Sequence, residues 1–309
     1  MRIEILGSAA GGGFPQWNCD CRNCHLQRAG VLRAKDRTQT QVAVSNDGEV
    51  WFLLNASPDL RLQIERTPVL HPRKGSRDSP IAGVLLTSAD IDQIAGLLSL
   101  RELQPLSIYC TPSLCRILRE DNTVFGMLNR VPQQARWIDV QTDQTFALST
   151  LSGASSGLCC ELFSIGSRYP AYVSPERAST LKAEEASLGV MLTAFSGGRL
   201  GYLPAVPAIN EQLLRRLSAA DMILFDGTFW SNDELIRVQG SGATALEMGH
   251  VPVSGAEGSL RALSRLLGPR KVFVHVNNTN PMLDESSAEH SEVKSSGWEL
   301  AEDGWQFNL

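Results

Sequence analysis

The chain has 309 residues, 43% of them hydrophobic and 20% charged, with a formal net charge of −5. That balance describes a water-soluble chain with material for one large domain or two ordinary ones, and it argues against non-specific nucleic-acid binding. No uninterrupted apolar run reaches the ~20 residues that span a bilayer.

Residues 2–7 predict a strand, and no apolar h-region or cleavage site of a signal peptide precedes it. A turn carrying Gly11, Gly12 and Gly13 follows; with no Gly-Lys-Ser/Thr after it, it is a turn around a site rather than a phosphate cradle. Cys19, Cys21 and Cys24 come next, spaced CxCxxC. Residues 39–45 and 50–55 predict a strand pair joined at Asn46-Asp47-Gly48. A helix is expected from Ser57, with Pro58 at its first position. Residues 71–80 are basic and polar and predict an exposed loop. Residues 84–86 predict a buried strand that breaks at a short polar turn, with a helix expected over 94–103.

Further on, residues 106–110 predict a strand followed by a helix opening at Thr111-Pro112, and residues 136–165 predict short strands. Residues 188–195 and 199–203 predict a hairpin turning at 196–198. Helices are expected over 208–217 and 254–267, and strands over 221–227 and 271–276. The tail, 297–309, predicts a last edge hairpin. Strands in two batches interleaved with helices predict an α/β four-layer αββα sandwich, organised as a single domain over 1–309 with a zinc-binding loop at about 17–26.

Three thiols this close supply most of a tetrahedral structural zinc shell; the alternative is a reduced, packed cluster. The fourth ligand is open, with His25 and residues 275–278 as candidates. An odd cysteine count, seven in all, fits reduced thiols better than a disulfide framework, and a cytoplasmic protein is expected. Cys110, Cys115, Cys159 and Cys160 sit in apolar or strand-like settings and are expected in the core, and His71 and His290 in polar stretches at the surface.

Residues 87–96 read Thr-Ser-Ala-Asp-Ile-Asp-Gln-Ile-Ala-Gly. Asp90 and Asp92, at the C-terminal edge of a buried strand, are hard oxygen ligands for a metal or caps of the next helix. Asp226 repeats the pattern at the end of 222–225, as a ligand or as a turn residue before Gly227. His275 is a late-strand histidine beside the polar cluster 277–280, a ligand or a packed residue. His250, in a loop before a helix, is a general acid or base or a plain loop residue.

Together these pieces resemble the metallo-β-lactamase superfamily, and within it the coenzyme PQQ biosynthesis protein B family. The superfamily motif Thr-His-x-His-x-Asp-His-x-x-Gly aligns with residues 87–96. Thr87, Asp92 and Gly96 are kept, and Ser88, Asp90 and Gln93 stand where histidines would be. Asp226 matches the metal-bridging aspartate, His275 the late histidine ligand, and His250 a histidine loop of phosphodiesterase relatives. The stretch 9–24 and the stretch 275–281 point to the narrower family.

The resemblance implies a role in making pyrroloquinoline quinone (PQQ) from a Glu–Tyr pair derived from a small precursor peptide. It implies an iron- and O₂-dependent hydroxylation of the tyrosine ring. The structural zinc would sit at Cys19, Cys21 and Cys24. Fe²⁺ or another divalent metal would sit at Asp90, Asp92, Asp226 and His275, with Asp90 or His250 as catalytic base. Two other functions stay open: a metal-dependent hydrolase of the precursor, and a carrier or transport factor that delivers PQQ or its precursor to the periplasm. Other PQQ biosynthesis proteins are expected partners, and a homodimer is compatible with the sequence.

Overall fold

A computed structural model describes residues 1–309. Its strands are β1 (Arg2–Gly7), β2 (Gln41–Ser45), β3 (Trp51–Leu54), β4 (Ile81–Leu85) and β5 (Leu106–Cys110). They continue as β6 (Ala135–Asp139), β7 (Thr145–Ser149), β8 (Ser155–Gly166), β9 (Ser187–Ala194) and β10 (Arg199–Leu203). The last are β11 (Met222–Asp226), β12 (Arg270–Val274), β13 (Trp298–Leu300) and β14 (Gln306–Asn308). They form two seven-stranded sheets. The chain divides into two compact units: unit 1 comprises Met1–Leu6, Gln41–Arg199 and Gly304–Leu309, and unit 2 comprises Gly7–Thr40 and Leu200–Asp303.

In unit 1 the strand order is β14-β1-β2-β3-β4-β5-β6. β3 through β6 are parallel, while β1/β14 and β2/β3 are antiparallel. Every residue of β2, β3, β4 and β5 is buried, which is why these strands read as continuous apolar runs rather than alternating ones. Tyr109 packs edge-on to Phe52 at 6.4 Å and stacks on Phe146 at 5.9 Å. The same unit holds the antiparallel ribbon β7-β8-β9.

Unit 2 carries a parallel block ordered β13-β12-β11-β10. Trp298 stacks on Phe273, with ring centroids 4.1 Å apart, and meets Phe225 edge-on at 6.1 Å. Buried Arg37 donates to Ser8 Oγ at 3.0 Å and to the Ala301 carbonyl. Asp303 accepts from Ser8 Oγ at 2.8 Å and from the Thr38 amide at 2.7 Å, tying residues 8–38 to the end of the unit. β11 and β12 end where residues 226 and 275 emerge, the edge at which α/β sheets present side chains to ligands.

Several element bounds differ from the sequence expectation. The helix expected from Ser57 starts at Leu60, because Ser57 is already engaged: its amide donates to Gln41 Oε1 and its hydroxyl to Gln63 Oε1, both at 2.8 Å. The helix expected over 94–103 is one turn, Ile91–Ile94, running into the 3₁₀ segment Ala95–Leu100, with the Gly96 amide donating to the Ala56 carbonyl. The helix expected over 208–217 is Glu211–Leu217, capped by Asn210, whose Oδ1 accepts from the Leu213 amide. Only Ser259–Ala262 is helical within 254–267, since the chain folds back so tightly at Gly258 that a Cβ there would lie 2.3 Å from Ser254 O.

β12 stops at Val274 because His275 takes a left-handed backbone, φ 57°. The tail is not a hairpin: β13 pairs parallel with β12, and β14 pairs antiparallel with β1. His290 is buried rather than exposed, with Nδ1–H donating to the Met282 carbonyl at 2.9 Å. Cys159 is only half-buried, on the less covered face of β8.

Gly96 explains why a glycine closes the 87–96 motif. A Cβ there would lie 2.1 Å from Ser57 O and 2.9 Å from the Ala56 carbonyl carbon, both backbone atoms that cannot yield cheaply. Gly96→Ala is expected to destabilise the protein by about 1–3 kcal/mol in chemical denaturation, the usual cost of overpacking. An unchanged midpoint would contradict the close approach.

Candidate metal centres

The first centre is built from one loop and one distant turn. Cys19 and Cys21 precede the helix Arg22–Arg28, which contains Cys24, so a single bend gathers three sulfurs within 4.8 Å of one another. The loop holds this shape through its own donors: the Cys21 amide reaches Cys19 Sγ and the Gln16 amide reaches Cys24 Sγ, each at 3.4 Å. Arg28 donates to the Gln16 and Cys19 carbonyls.

Over the sulfurs stands the buried side chain of Asn278, with Nδ2 at 3.1, 3.5 and 3.4 Å from Cys19, Cys21 and Cys24. Asn23 fixes that turn by donating to the carbonyls of Asn278 and Asn280. His25, the adjacent candidate ligand, is 62% exposed and turned toward Asp20 at 3.2 Å. Burial opposes ionisation of Cys19 and Cys21. It pushes Cys21 up to about 12, whereas at Cys19 hydrogen bonds from Cys21, Cys24 and Asn278 outweigh it and hold the thiol below its ordinary value.

The second centre gathers Asp226, His250 and His275, whose ligand atoms also lie within 4.8 Å of one another. Asp226 ends the buried strand β11 and is wholly buried itself. Its Oδ2 accepts from the Val206 amide at 2.7 Å and lies 2.8 Å from His250 Nδ1. Its Oδ1 accepts from the Thr228 amide at 3.0 Å and from Thr228 Oγ1 at 2.6 Å. Burial alone would raise this carboxyl, but His250, His275 and the Thr228 hydroxyl together hold it below the ordinary carboxylate range.

His250 is placed by backbone bonds on both sides, its own amide to Ala245 O and the Val251 amide to Val206 O. The left-handed turn at His275 brings its ring nearly parallel to that of His250, centroids 5.4 Å apart. Thr228 Oγ1 lies 3.0 Å from His250 Nδ1 and 2.8 Å from His275 Nδ1, so one hydroxyl touches all three donors. Thr228 was not among the residues singled out from sequence, whereas Asn278 lay at the end of the 275–278 stretch considered for the fourth zinc ligand. A hydroxyl two residues past an aspartate carries no signal beyond the Asp-Gly-Thr string.

Asp90 and Asp92 belong to unit 1, beyond β4. Asp90 occupies the N-cap position of the helix Ile91–Ile94 without making a side-chain capping bond; its Oδ2 instead accepts from Ser88 Oγ at 2.8 Å. Asp92 Oδ2 accepts from Gln93 Nε2 at 3.1 Å. Asn55 bonds Gln93 Oε1 and, at 2.9 Å, Thr87 Oγ1. Ser88 and Gln93, which replace histidines of the superfamily motif, are therefore engaged in a hydrogen-bonded network with the two aspartates.

A further buried acid, Glu234, accepts from the Trp230 amide at 2.6 Å and meets Thr279 Oγ1 at 2.5 Å. Burial pushes it from an ordinary 4.5 up to about 7, against the hydrogen bonds that lower it. The folded state thus holds a proton that the unfolded chain releases. Its stabilising effect is complete below the unfolded value and is lost as pH rises through the folded one. Glu234→Gln copies the protonated form. It is expected to match the parent in acid and to exceed it in unfolding free energy at about pH 8, by at most about 3 kcal/mol in chemical denaturation. Parallel pH profiles for the two proteins would contradict the buried proton.

The chain is similar to known proteins in sequence and in fold. A family model described as a beta-lactamase superfamily domain matches residues 50–276. Coenzyme PQQ synthesis protein B of Methylorubrum extorquens is 44% identical over 309 residues, and that of Azotobacter vinelandii 42% over 310, with both chains covered in full. A zinc-bound crystal structure of PqqB from Methylobacterium extorquens superposes with a TM-score of 0.91 at 42% identity over all of both chains. A diphosphatase of the PhnP family, at 18% identity and a TM-score of 0.67 over 100% of this chain and 97% of its own, shares the fold. The metallo-β-lactamase fold expected from sequence is the fold found. No helix is long and apolar enough to cross a membrane. On identity over its whole length and on fold, the chain belongs to the coenzyme PQQ synthesis protein B family of the beta-lactamase superfamily.

Proposed function

We propose that the protein acts in PQQ biosynthesis as an iron- and O₂-dependent hydroxylase of the tyrosine ring of a Glu–Tyr precursor. The observation that carries this is the donor set of the second centre, one carboxylate, Asp226, and two imidazoles, His250 and His275, gathered within 4.8 Å. Two histidines and a carboxylate suit Fe(II) in oxygenases and leave positions open for O₂ and substrate. The residues fit such an ion, since Asp226 is buried yet held ionised and the two imidazoles approach it from separate loops.

Bound iron supplies the activation of O₂, which no side chain performs. The protein's own groups hold and orient. Asp226 binds, the Val206 and Thr228 amides fix its carboxylate, and the Thr228 hydroxyl sets the tilt of both rings. His250, read from sequence as a base, joins the ligands in this proposal. Asp92 as a further ligand, and Asp90 as ligand or as base for the phenol, enter through the superfamily motif alone. The first centre is assigned to a structural zinc held by Cys19, Cys21 and Cys24, with the Asn278 amide, turned to present Oδ1, as fourth donor. The dipeptide would come from other proteins of PQQ biosynthesis.

The test is anaerobic reconstitution with Fe(II), addition of Glu–Tyr and O₂, and the product mass. A gain of oxygen on the ring is expected. Separated amino acids would make the protein a hydrolase, and an unchanged dipeptide would leave a carrier or transport factor. Asp92→Ala is expected to abolish turnover while leaving the melting temperature in place. Cys21→Ser is expected to release zinc and lower the melting temperature, and Asn278→Ala to weaken zinc binding by about 10–100-fold. If Asp92→Ala and Cys21→Ser both lost stability alone, the two-centre proposal would fail.

A further inference from the structure

Neither metal centre uses the cysteine pair of unit 1. Cys110 is the last residue of β5 and has no exposed surface, and Cys115 lies in the helix Pro112–Arg116 that follows. The helix folds back from Thr111, whose carbonyl accepts from the Cys115 amide, and this returns Cys115 beside the end of β5, near enough for the two thiols to perturb each other electrostatically. Cys115 edges a cavity of about 420 Å³ whose rim carries Arg116, Arg119, Glu120 and Asp139. Arg119 Nη1 lies 3.8 Å from Cys115 Sγ, and its guanidinium sits 5.8 Å over the Trp137 ring. Cys115 thus borders an opening rimmed by two arginines and two acids, with Arg119 the group nearest its sulfur, and Cys110 has no exposed surface. The second close pair of the chain is arranged differently: Cys159 and Cys160 are neighbours on β8 and point to opposite faces of the strand.

We propose that Cys110 and Cys115 form an oxidisable dithiol, in which a hydroperoxide entering the cavity oxidises Cys115 and Cys110 resolves the product to a disulfide. In the first step the Cys115 thiolate attacks the outer peroxide oxygen. The S–O bond forms, the O–O bond breaks, and the departing oxygen takes a proton, leaving as water when the oxidant is hydrogen peroxide. In the second step the Cys110 sulfur attacks the Cys115 sulfenic acid. The S–S bond forms, the S–O bond breaks, and the thiol proton leaves with the hydroxyl as a second water. Two thiols are oxidised by two electrons and one peroxide is reduced.

The electrostatics favour this order of events. The Cys110 hydrogen bond and the Arg119 guanidinium bring the Cys115 thiol down to about 7, while the same contact with Cys115, and burial, push Cys110 well up. Cys115, at the edge of the cavity, is the nucleophile, and Cys110, with no exposed surface, stays protonated until a sulfenic acid appears.

The measurement uses the whole zinc-loaded protein, reduced and then treated with equimolar hydrogen peroxide, alkylated and digested with trypsin. Residues 102–116 form one tryptic peptide that holds both sulfurs. It is expected to lose two hydrogens, to escape alkylation, and to regain both on treatment with dithiothreitol. In Cys110→Ser the sulfenic acid persists on Cys115 and is captured by dimedone, and Arg119→Gln slows the oxidation severalfold. A wild-type peptide alkylated at both sulfurs after peroxide would overturn the proposal, and this arm needs no variant to fold. Oxidation of Cys110 in Cys115→Ser, at the wild-type rate, would overturn it too.

Discussion

A carboxylate removed entirely from water is costly unless hydrogen bonds and positive charge compensate it, and Asp226 is such a group. The parallel strand β11 ends by placing it beneath the surface, and polar groups near and far along the chain answer the cost: the Thr228 amide and hydroxyl on one oxygen, the Val206 amide and His250 on the other. The loop that carries His250 is pinned to the same Val206 through the Val251 amide, so the element that neutralises the carboxylate also positions an imidazole beside it. His275 completes the set from the end of β12, where a left-handed residue turns the chain.

The two centres divide the chemistry by donor type. Three thiols from a tight loop, with an amide from a distant turn, would make a closed, soft shell suited to a structural ion. A carboxylate with two imidazoles, buried but incomplete as a shell, suits an ion with work to do at open positions. The hydrogen-bonded network of Asn55, Thr87, Ser88 and Gln93 around the motif aspartates shows how the superfamily loop keeps its shape where zinc-binding histidines have been replaced by amide and hydroxyl groups.

The strands were legible because burial on both faces writes itself as runs such as 51–54 and 222–225. Cys19, Cys21 and Cys24 were legible because their grouping is local. Helix ends were not: Ser57 looked like a cap until Gln41 and Gln63, far along the chain or across a turn, claimed its polar groups. Gly258 gave no hint that the backbone would fold back on Ser254. His275 read as a strand residue because a positive φ at a non-glycine position leaves no trace in composition. Asn278 was legible only as one of the stretch 275–278 considered for the fourth zinc ligand, since its contact with Cys24 joins positions 254 residues apart.

The central claim is that Asp226, His250 and His275 hold a metal ion independent of the cysteine site. Its most direct test is the metal content of Asp226→Asn after anaerobic loading with zinc and Fe(II), read beside the parent protein. The parent is expected to carry both ions, and the variant to lose iron while keeping the zinc at Cys19, Cys21 and Cys24. A folded variant that retained the full iron content would contradict the account.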